Sequence, residues 1–131
     1  MISTSDLMVI ALERLKDAEA LLYADRFDGA TYLCGYSIEI ALKYKICKTL
    51  NWAGFPSTNR EFDNLRSLKT HDLDVLLSLT GVEATVKSTH FAEWSAVASW
   101  NPEARYNTIG GVSQADAALM INSAKILIGV L

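Results

Sequence analysis

Apolar residues recur every three or four positions along most of the chain, which is the spacing of amphipathic α-helices. The first stripe predicts a helix over about residues 4–24. Its apolar members are Leu7, Ala11, Leu15, Ala18 and Leu22. A second and wider apolar surface predicts a helix over about residues 29–50, with Asp28 as its N-terminal cap. Because a helix that is apolar on most sides needs neighbours all round, we expect this second helix to be central.

Three more helices are predicted in the second half of the chain. Thr70 is expected to cap a short third helix, and the fourth and fifth are expected over about residues 83–100 and 113–130. The residues expected to face inward from the fourth helix are Phe91, Trp94 and Val97. Residues 51–69 lack this periodicity and are predicted to be a long loop with room for a short helical turn. No strand is predicted, so residues 1–131 are expected to form one all-α domain, an antiparallel up-and-down bundle of four to five helices.

Charge and cysteine content limit the location of the protein. Net charge is -3, and charged residues interrupt the apolar stretch of the second predicted helix, so no membrane span is expected. Cys34 and Cys47 are thirteen positions apart on that helix, about 20 Å along its axis, so they cannot bridge each other. Free thiols without a recognisable signal peptide indicate a reducing, cytoplasmic location.

The positive charge is concentrated in the middle of the chain. Residues 43–69 hold six cationic side chains against two acidic ones, while both flanking segments are net negative. Such a segment is either a surface that faces phosphate groups or an ordinary solvated loop. Glycine-rich phosphate loops, zinc-ligand spacings and known nucleophile motifs are absent, so neither a metal nor a cofactor is expected.

Three segments in the right order resemble the HEPN (higher eukaryotes and prokaryotes nucleotide-binding) domain family. They are RFDGATYLCGYSIEIALKYKI (residues 26–46), KTHDLDVLLSLTG (residues 69–81) and WNPEARY (residues 100–106). The pattern Gly-Tyr-x-x-Glu-x-x-Leu-Lys, formed by Gly35, Tyr36, Glu39, Leu42 and Lys43, is the most telling part. The resemblance implies a helical bundle that is often dimeric. It also implies either a metal-independent ribonuclease toxin or a non-catalytic partner of a minimal nucleotidyltransferase.

The sequence departs from the family pattern at its catalytic motif. Catalytic members carry an Arg, four to six residues and then a His near the start of a late helix, whereas the matching positions after Arg105 are Gly110, Gly111 and Val112. Arg66 and His71 match the spacing but precede the third predicted helix. The leading hypothesis is therefore a protein that acts by binding, as a homodimer, as a partner of a nucleotidyltransferase-like protein in a toxin–antitoxin or defence-type module, or both. We favour a protein without enzymatic activity; if it is an enzyme, the resemblance implies a metal-independent endoribonuclease.

Two alternatives stay open. One is a metal-independent ribonuclease that uses Arg66 with His71, or Arg105 with a base from elsewhere. The other is nucleotide or RNA binding without turnover. The residues considered for that binding are Glu39, Lys43, Trp52, Arg105 and Tyr106.

Each of these candidates also has a structural interpretation. Glu39 and Lys43, at i and i+4, are expected to pair at a helix contact, and Glu39 could also meet Arg105 across the bundle or from a twin chain. His71 would cap or pack the third helix. Trp52 is the aromatic most open to a stacked base, whereas Trp94 and Trp100 are expected in the core.

Overall fold

Six α-helices and one pair of very short β-strands make up the computed structural model, which describes residues 1–131. The elements in chain order are β1 (Ile2–Ser3), α1 (Thr4–Tyr23), α2 (Phe27–Leu50), β2 (Gly54–Phe55), α3 (Leu73–Ser78), α4 (Glu83–Thr89), α5 (Phe91–Val97) and α6 (Gln114–Val130). Short 3-10 helices cover Arg66–Leu68 and Pro102–Tyr106. The prediction of a helical bundle is confirmed.

Helix α2 is the centre of the bundle, as its wide apolar surface predicted. It packs against α1, α6 and α3, and ten of its residues are buried. The predicted stripe of α1 is buried at Leu7, Ala11, Leu15 and Ala18. One cluster of 26 buried residues joins these helices into a continuous core. No helix combines the length and the apolar character that crossing a bilayer requires.

The predicted fourth helix is two helices, which raises the number of helices from five to six. His90 lies between α4 and α5 with φ -125° and ψ 38°, outside the helical range, so the chain changes direction there. This break turns Phe91 outward, where 66% of it is exposed, and the prediction that it faces the core is wrong. Trp94 and Val97, further along α5, are buried as predicted.

Two predicted helix caps are also wrong. The N-cap of α2 is Arg26, and Asp28 lies in its first turn, where its carboxylate accepts a hydrogen bond from Gly110 N–H at 2.7 Å. Helix α3 begins later than predicted and is capped by Asp72, whose side chain accepts from two backbone N–H groups. Thr70 instead accepts from Asp72 N–H just before the helix. His71 is therefore in the approach to α3 and not in its first turn.

The long loop after α2 is anchored to the core. The expected absence of strands is wrong here, since β2 pairs antiparallel with β1 through Ile2–Phe55 and Ser3–Gly54. Phe55, Phe62 and Leu68 are buried, so three side chains fix the loop at intervals. The 3-10 helix at Arg66–Leu68 forms the short helical turn expected in this loop.

A close contact between α2 and Trp100 positions the segment that follows α5. Gly35 is buried, and a Cβ atom there would lie 2.2 Å from three atoms of the Trp100 ring. Glycine thus allows the indole to lie directly on the helix backbone. Asn101 then caps the 3-10 helix of Pro102–Tyr106 by accepting from Glu103 N–H at 2.9 Å. The Arg105 turn is held beside the N-terminal half of α2 as a result.

Candidate functional site

One stripe of α2 carries polar and aromatic side chains in place of the aliphatic residues that fill the core. Tyr32, Tyr36, Glu39 and Lys43 follow one another at steps of four, three and four residues, so they share one side of the helix. We call these four residues the α2 strip. It is about 16 Å long, at 1.5 Å per residue. Glu39 is buried in it, and the other three are partly exposed.

Glu39 uses both of its carboxylate oxygens. Lys43 Nζ donates to Oε2 at 3.0 Å, and His71 Nδ1 lies 2.8 Å from Oε1. Only 4% of the Glu39 side chain is exposed, so its charge depends on these two partners for compensation. The predicted Glu39–Lys43 pair is confirmed. The contact with His71 was not foreseen, because the two residues are 32 positions apart in the chain.

This contact orients the His71 ring. An ionised carboxylate only accepts hydrogen bonds, so Nδ1 is the donor in this contact. The imidazole is 59% exposed, in contrast to the buried Glu39. With Nδ1 as the donor to Glu39, a neutral imidazole has its lone pair on Nε2, an arrangement that can accept a proton from a bound group.

Arg105 lies at the opposite end of the α2 strip. Its guanidinium is 4.8 Å from the centre of the Tyr106 ring and donates to the carbonyl of Pro102 at 3.1 Å. The neighbouring hydroxyls of Tyr106 and Tyr32 raise the pKa of Arg105, so the group stays cationic. No carboxylate lies within ion-pair distance of it. The pairing with Glu39 considered from the sequence is therefore not formed within one chain, and Arg105 has charge available for an anion.

Tyr36 connects the two ends. Its interaction with Tyr32, together with a smaller contribution from burial, raises the pKa of Tyr36 to about 12. The charge of Glu39 acts in the same direction and the charge of Arg105 against it, so both lie within electrostatic reach of this hydroxyl. The Tyr36 ring packs edge-on against Trp100 with 4.9 Å between ring centres. Tyr36 is thus a protonated hydrogen-bond donor between an anionic and a cationic group.

A cleft of about 550 Å³ opens beside Arg105. Its walls are the first turns of α2 and the segment from Ala104 to Val112. The polar and aromatic side chains that line it are Asp28, Thr31, Tyr32, Arg105, Asn107 and Thr108. A cleft of this size that combines one free cation, hydroxyls and an aromatic ring can accommodate a small phosphorylated ligand.

The remaining predicted residues lie elsewhere. Arg66 lines a separate cleft and forms no hydrogen bond or ion pair with His71, so the pair that the Arg-x4-His spacing suggested is not in contact. Trp52 is half-buried after α2 and borders a third cleft with Met1 and Pro56. Trp94 and Trp100 are in the core, as predicted.

Cysteine and metal chemistry are not part of this face. Cys34 and Cys47 are free and buried, and burial raises the pKa of Cys34 to about 12. No group of three or more His, Cys, Asp or Glu side chains is placed to hold one metal ion.

Comparison with known proteins gives one match. The family model described as HEPN domain covers residues 4–131, which is nearly the whole chain. No curated protein and no solved structure matches it.

Proposed function

We propose a function from one premise, namely that this chain belongs to the HEPN domain family. The chain acts by binding a phosphorylated ligand, a nucleotide or RNA, along the α2 strip and the adjoining Arg105 turn. It lacks the Arg-x4-6-His pair in the late position that catalytic members of the family use, because Gly110, Gly111 and Val112 follow Arg105 where the His would stand.

The observation that supports this proposal is the free charge of Arg105 beside exposed aromatic rings. A guanidinium binds phosphate oxygens in a bidentate manner, and a nucleobase stacks well on an aromatic ring. Tyr106 is 73% exposed, and Tyr32 lines the same cleft as Arg105. A phosphate on Arg105 and a base on one of these rings would therefore occupy neighbouring positions.

The test is a binding titration with fluorescein-labelled single-stranded RNA, followed by anisotropy, and with unlabelled AMP and GTP as competitors. Arg105→Gln should weaken binding at least about ten-fold, since a charge-assisted hydrogen bond contributes roughly 1.5–3 kcal/mol. The matched control is Arg14→Gln, which removes an exposed arginine that already pairs with Asp17. Equal affinity of the two variants would contradict the proposed site, and no binding by the unaltered protein at low salt would contradict the function.

A second candidate function is metal-independent RNA cleavage, and the Glu39–His71 contact favours it. In that reaction His71 Nε2 takes the proton of a 2′-hydroxyl, the 2′-oxygen forms a bond to phosphorus, and the bond to the 5′-oxygen breaks. The 5′-oxygen takes a proton from water, so the products are a 2′,3′-cyclic phosphate and a 5′-hydroxyl. Arg105 or Arg66 would hold the phosphate, and neither forms a hydrogen bond or ion pair with His71 within one chain.

Cleavage is tested with a labelled RNA in the presence of a chelator. Activity should be lost in His71→Ala, restored in part by added imidazole, and retained in His90→Ala, which changes the other histidine of the chain. An RNA with a single 2′-deoxynucleotide at the cleavage site should resist. No cleavage by the unaltered protein would leave binding alone as the function.

A protein partner belongs to the proposed function as well, either a second copy of this chain or a nucleotidyltransferase-like protein. Several apolar side chains of α1 and α6 are exposed, which a binding partner would cover. They are Val9, Leu12, Leu119, Ile126 and Val130. The two helices are adjacent, since Lys125 Nζ and Glu19 Oε2 are 3.3 Å apart.

The dimer is tested by light scattering after size exclusion at micromolar concentration. The chain should elute as a dimer and Ile126→Glu as a monomer, because a buried interface does not tolerate an unpaired carboxylate. If both proteins are monomers, the proposed dimer is wrong and the nucleotidyltransferase-like protein remains as the proposed partner. Co-purification with the product of a neighbouring gene would test that partner.

A further inference from the structure

A second cleft lies in the loop between β2 and α3, at the other end of the molecule's polar face. It has a volume of about 390 Å³. Its lining residues are Asn59, Arg60, Phe62, Asp63, Arg66 and Lys69. Three of them are cationic and one is acidic, and neither arginine has a carboxylate partner within ion-pair distance. Half of the six cationic side chains of the positive segment noted in the sequence therefore line one concave surface.

Buried apolar side chains anchor the loop that forms this cleft to the core. Phe62 and Leu68 are buried, and the Phe62 ring packs edge-on against Phe55 with 6.2 Å between centres. Lys69 Nζ is bound by Asn59 Oδ1 across the cleft. Because the apolar side chains anchor the loop, the backbone that carries the exposed cationic side chains is fixed before a ligand arrives. A preorganised site of this kind binds a ligand more tightly than an ordinary solvated loop with the same charges would.

A chain of contacts connects this cleft to the α2 strip. Lys43 Nζ lies 5.3 Å from the centre of the Phe55 ring, and Phe55 contacts Phe62 at the floor of the cleft. His71, bound to Glu39, is only two residues after Lys69. The cleft thus adjoins the Lys43 end of the strip, while Arg105 lies at the Tyr32 end.

We propose that the cleft of Arg60, Arg66 and Lys69 is a second phosphate-binding site, and that the ligand of this protein is single-stranded RNA several nucleotides long. This inference rests on the proposed function. The strip that separates the two cationic sites is about 16 Å long, which corresponds to about five stacked nucleotides at 3.4 Å per phosphate along one strand. One mononucleotide cannot reach both sites. Tyr32 and Tyr36, the partly exposed tyrosines of the strip, provide stacking surfaces for bases next to Arg105, which a lipid headgroup would leave unused.

The test compares a 12-nucleotide single-stranded RNA with AMP on the same protein. The double variant Arg60→Gln/Arg66→Gln should bind the 12-mer about ten-fold more weakly. The slope of log binding constant against log salt concentration should become shallower by roughly 1.4, since each phosphate contact on a single strand contributes about 0.7. Its affinity for AMP should not change. The matched control, Arg14→Gln/Lys16→Gln, removes the same charge from exposed positions of α1.

Each outcome separates the two proposals. If the double variant binds the 12-mer like the control while Arg105→Gln does not, the second site is wrong and the proposed function remains. If the unaltered protein binds neither ligand, the proposed function fails and this inference with it. If the two arginines are needed only for binding to vesicles containing phosphatidylserine, the cleft serves a membrane surface and the inference is overturned. As a control, melting curves of both double variants should match that of the unaltered protein, because the substituted residues are exposed.

Discussion

Replacing Glu39 with glutamine removes the negative charge of the carboxylate that contacts both Lys43 and His71. The shape of the side chain stays almost the same. Only 17% of the Lys43 side chain is exposed, so its ammonium group would lose its counter-charge in a poorly solvated place. Breaking a buried ion pair by removing one partner costs about 3–5 kcal/mol. Because the amide oxygen of glutamine still accepts one hydrogen bond, we expect a loss near the lower end, about 3 kcal/mol.

A double-mutant cycle shows whether this loss belongs to the pair. Lys43→Met removes the ammonium group and retains an apolar stem beside Phe55, and it leaves Glu39 with His71 alone. We expect a loss of about 2 kcal/mol for this change. The variant that carries both changes has no unpaired charge left, so its loss should be smaller than the sum of the two by about 2 kcal/mol.

Urea unfolding at neutral pH, followed by tryptophan fluorescence, measures these free energies, because Trp94 and Trp100 are buried. In a thermal scan Glu39→Gln should lower Tm by about 12 °C, at roughly 4 °C per kcal/mol for a chain of this size. His71→Ala is the control and should cost less than about 1 kcal/mol, since more than half of that side chain is in solvent. Losses that simply add, or a Glu39→Gln variant as stable as the unaltered protein, would refute this account of Glu39.

Three further predictions concern the surroundings of the strip. Gly35→Ala should destabilise the protein by about 1–3 kcal/mol and change the near-UV circular dichroism of Trp100, because the added Cβ meets the indole at 2.2 Å. The native state should lose stability as pH rises from about 9 towards 12, by about 1 kcal/mol at pH 10 from Cys34 alone, because the unfolded thiol ionises first. Urea titrations at pH 7 and pH 10 should show a smaller decrease in Cys34→Ala. Asp28→Ala should increase amide hydrogen exchange at Gly110, whose N–H donates to that carboxylate, while global stability falls by less than about 1 kcal/mol. Unchanged exchange there would mean that the contact does not restrain the loop.

The sequence predicted those parts of the fold that depend on local periodicity. The stripe of α1 and the wide apolar surface of α2 follow from the side-chain spacing. The predicted last helix is also present as α6, with Ser113 as its N-cap. The break at His90 was not predictable in the same way, because the apolar positions on both sides of it fit one continuous helix. The two-residue strands were missed because such short segments have no alternation to recognise.

In the candidate site, the sequence predicted a contact within one helix better than contacts between distant segments. The Glu39–Lys43 pair follows from i, i+4 spacing on one helix. The approach of His71 to Glu39 depends on how a loop returns to α2, and no local pattern encodes it. Arg66 was paired with His71 from spacing alone, yet the 3-10 turn at Arg66–Leu68 directs the arginine into another cleft.

The position of His71 is nevertheless a consequence of core packing. Leu68 and Leu73, five positions apart and on either side of His71, are both buried. They fix the short extended segment between the 3-10 turn and α3, and the only buried carboxylate on the facing side of α2 is Glu39. A carboxylate buried there without partners would strongly destabilise the folded state. The contacts of Glu39 with Lys43, one turn away, and with His71 of the loop therefore stabilise the fold. The same requirement that stabilises the bundle thereby holds an exposed imidazole against Glu39, within the α2 strip of the proposed binding face.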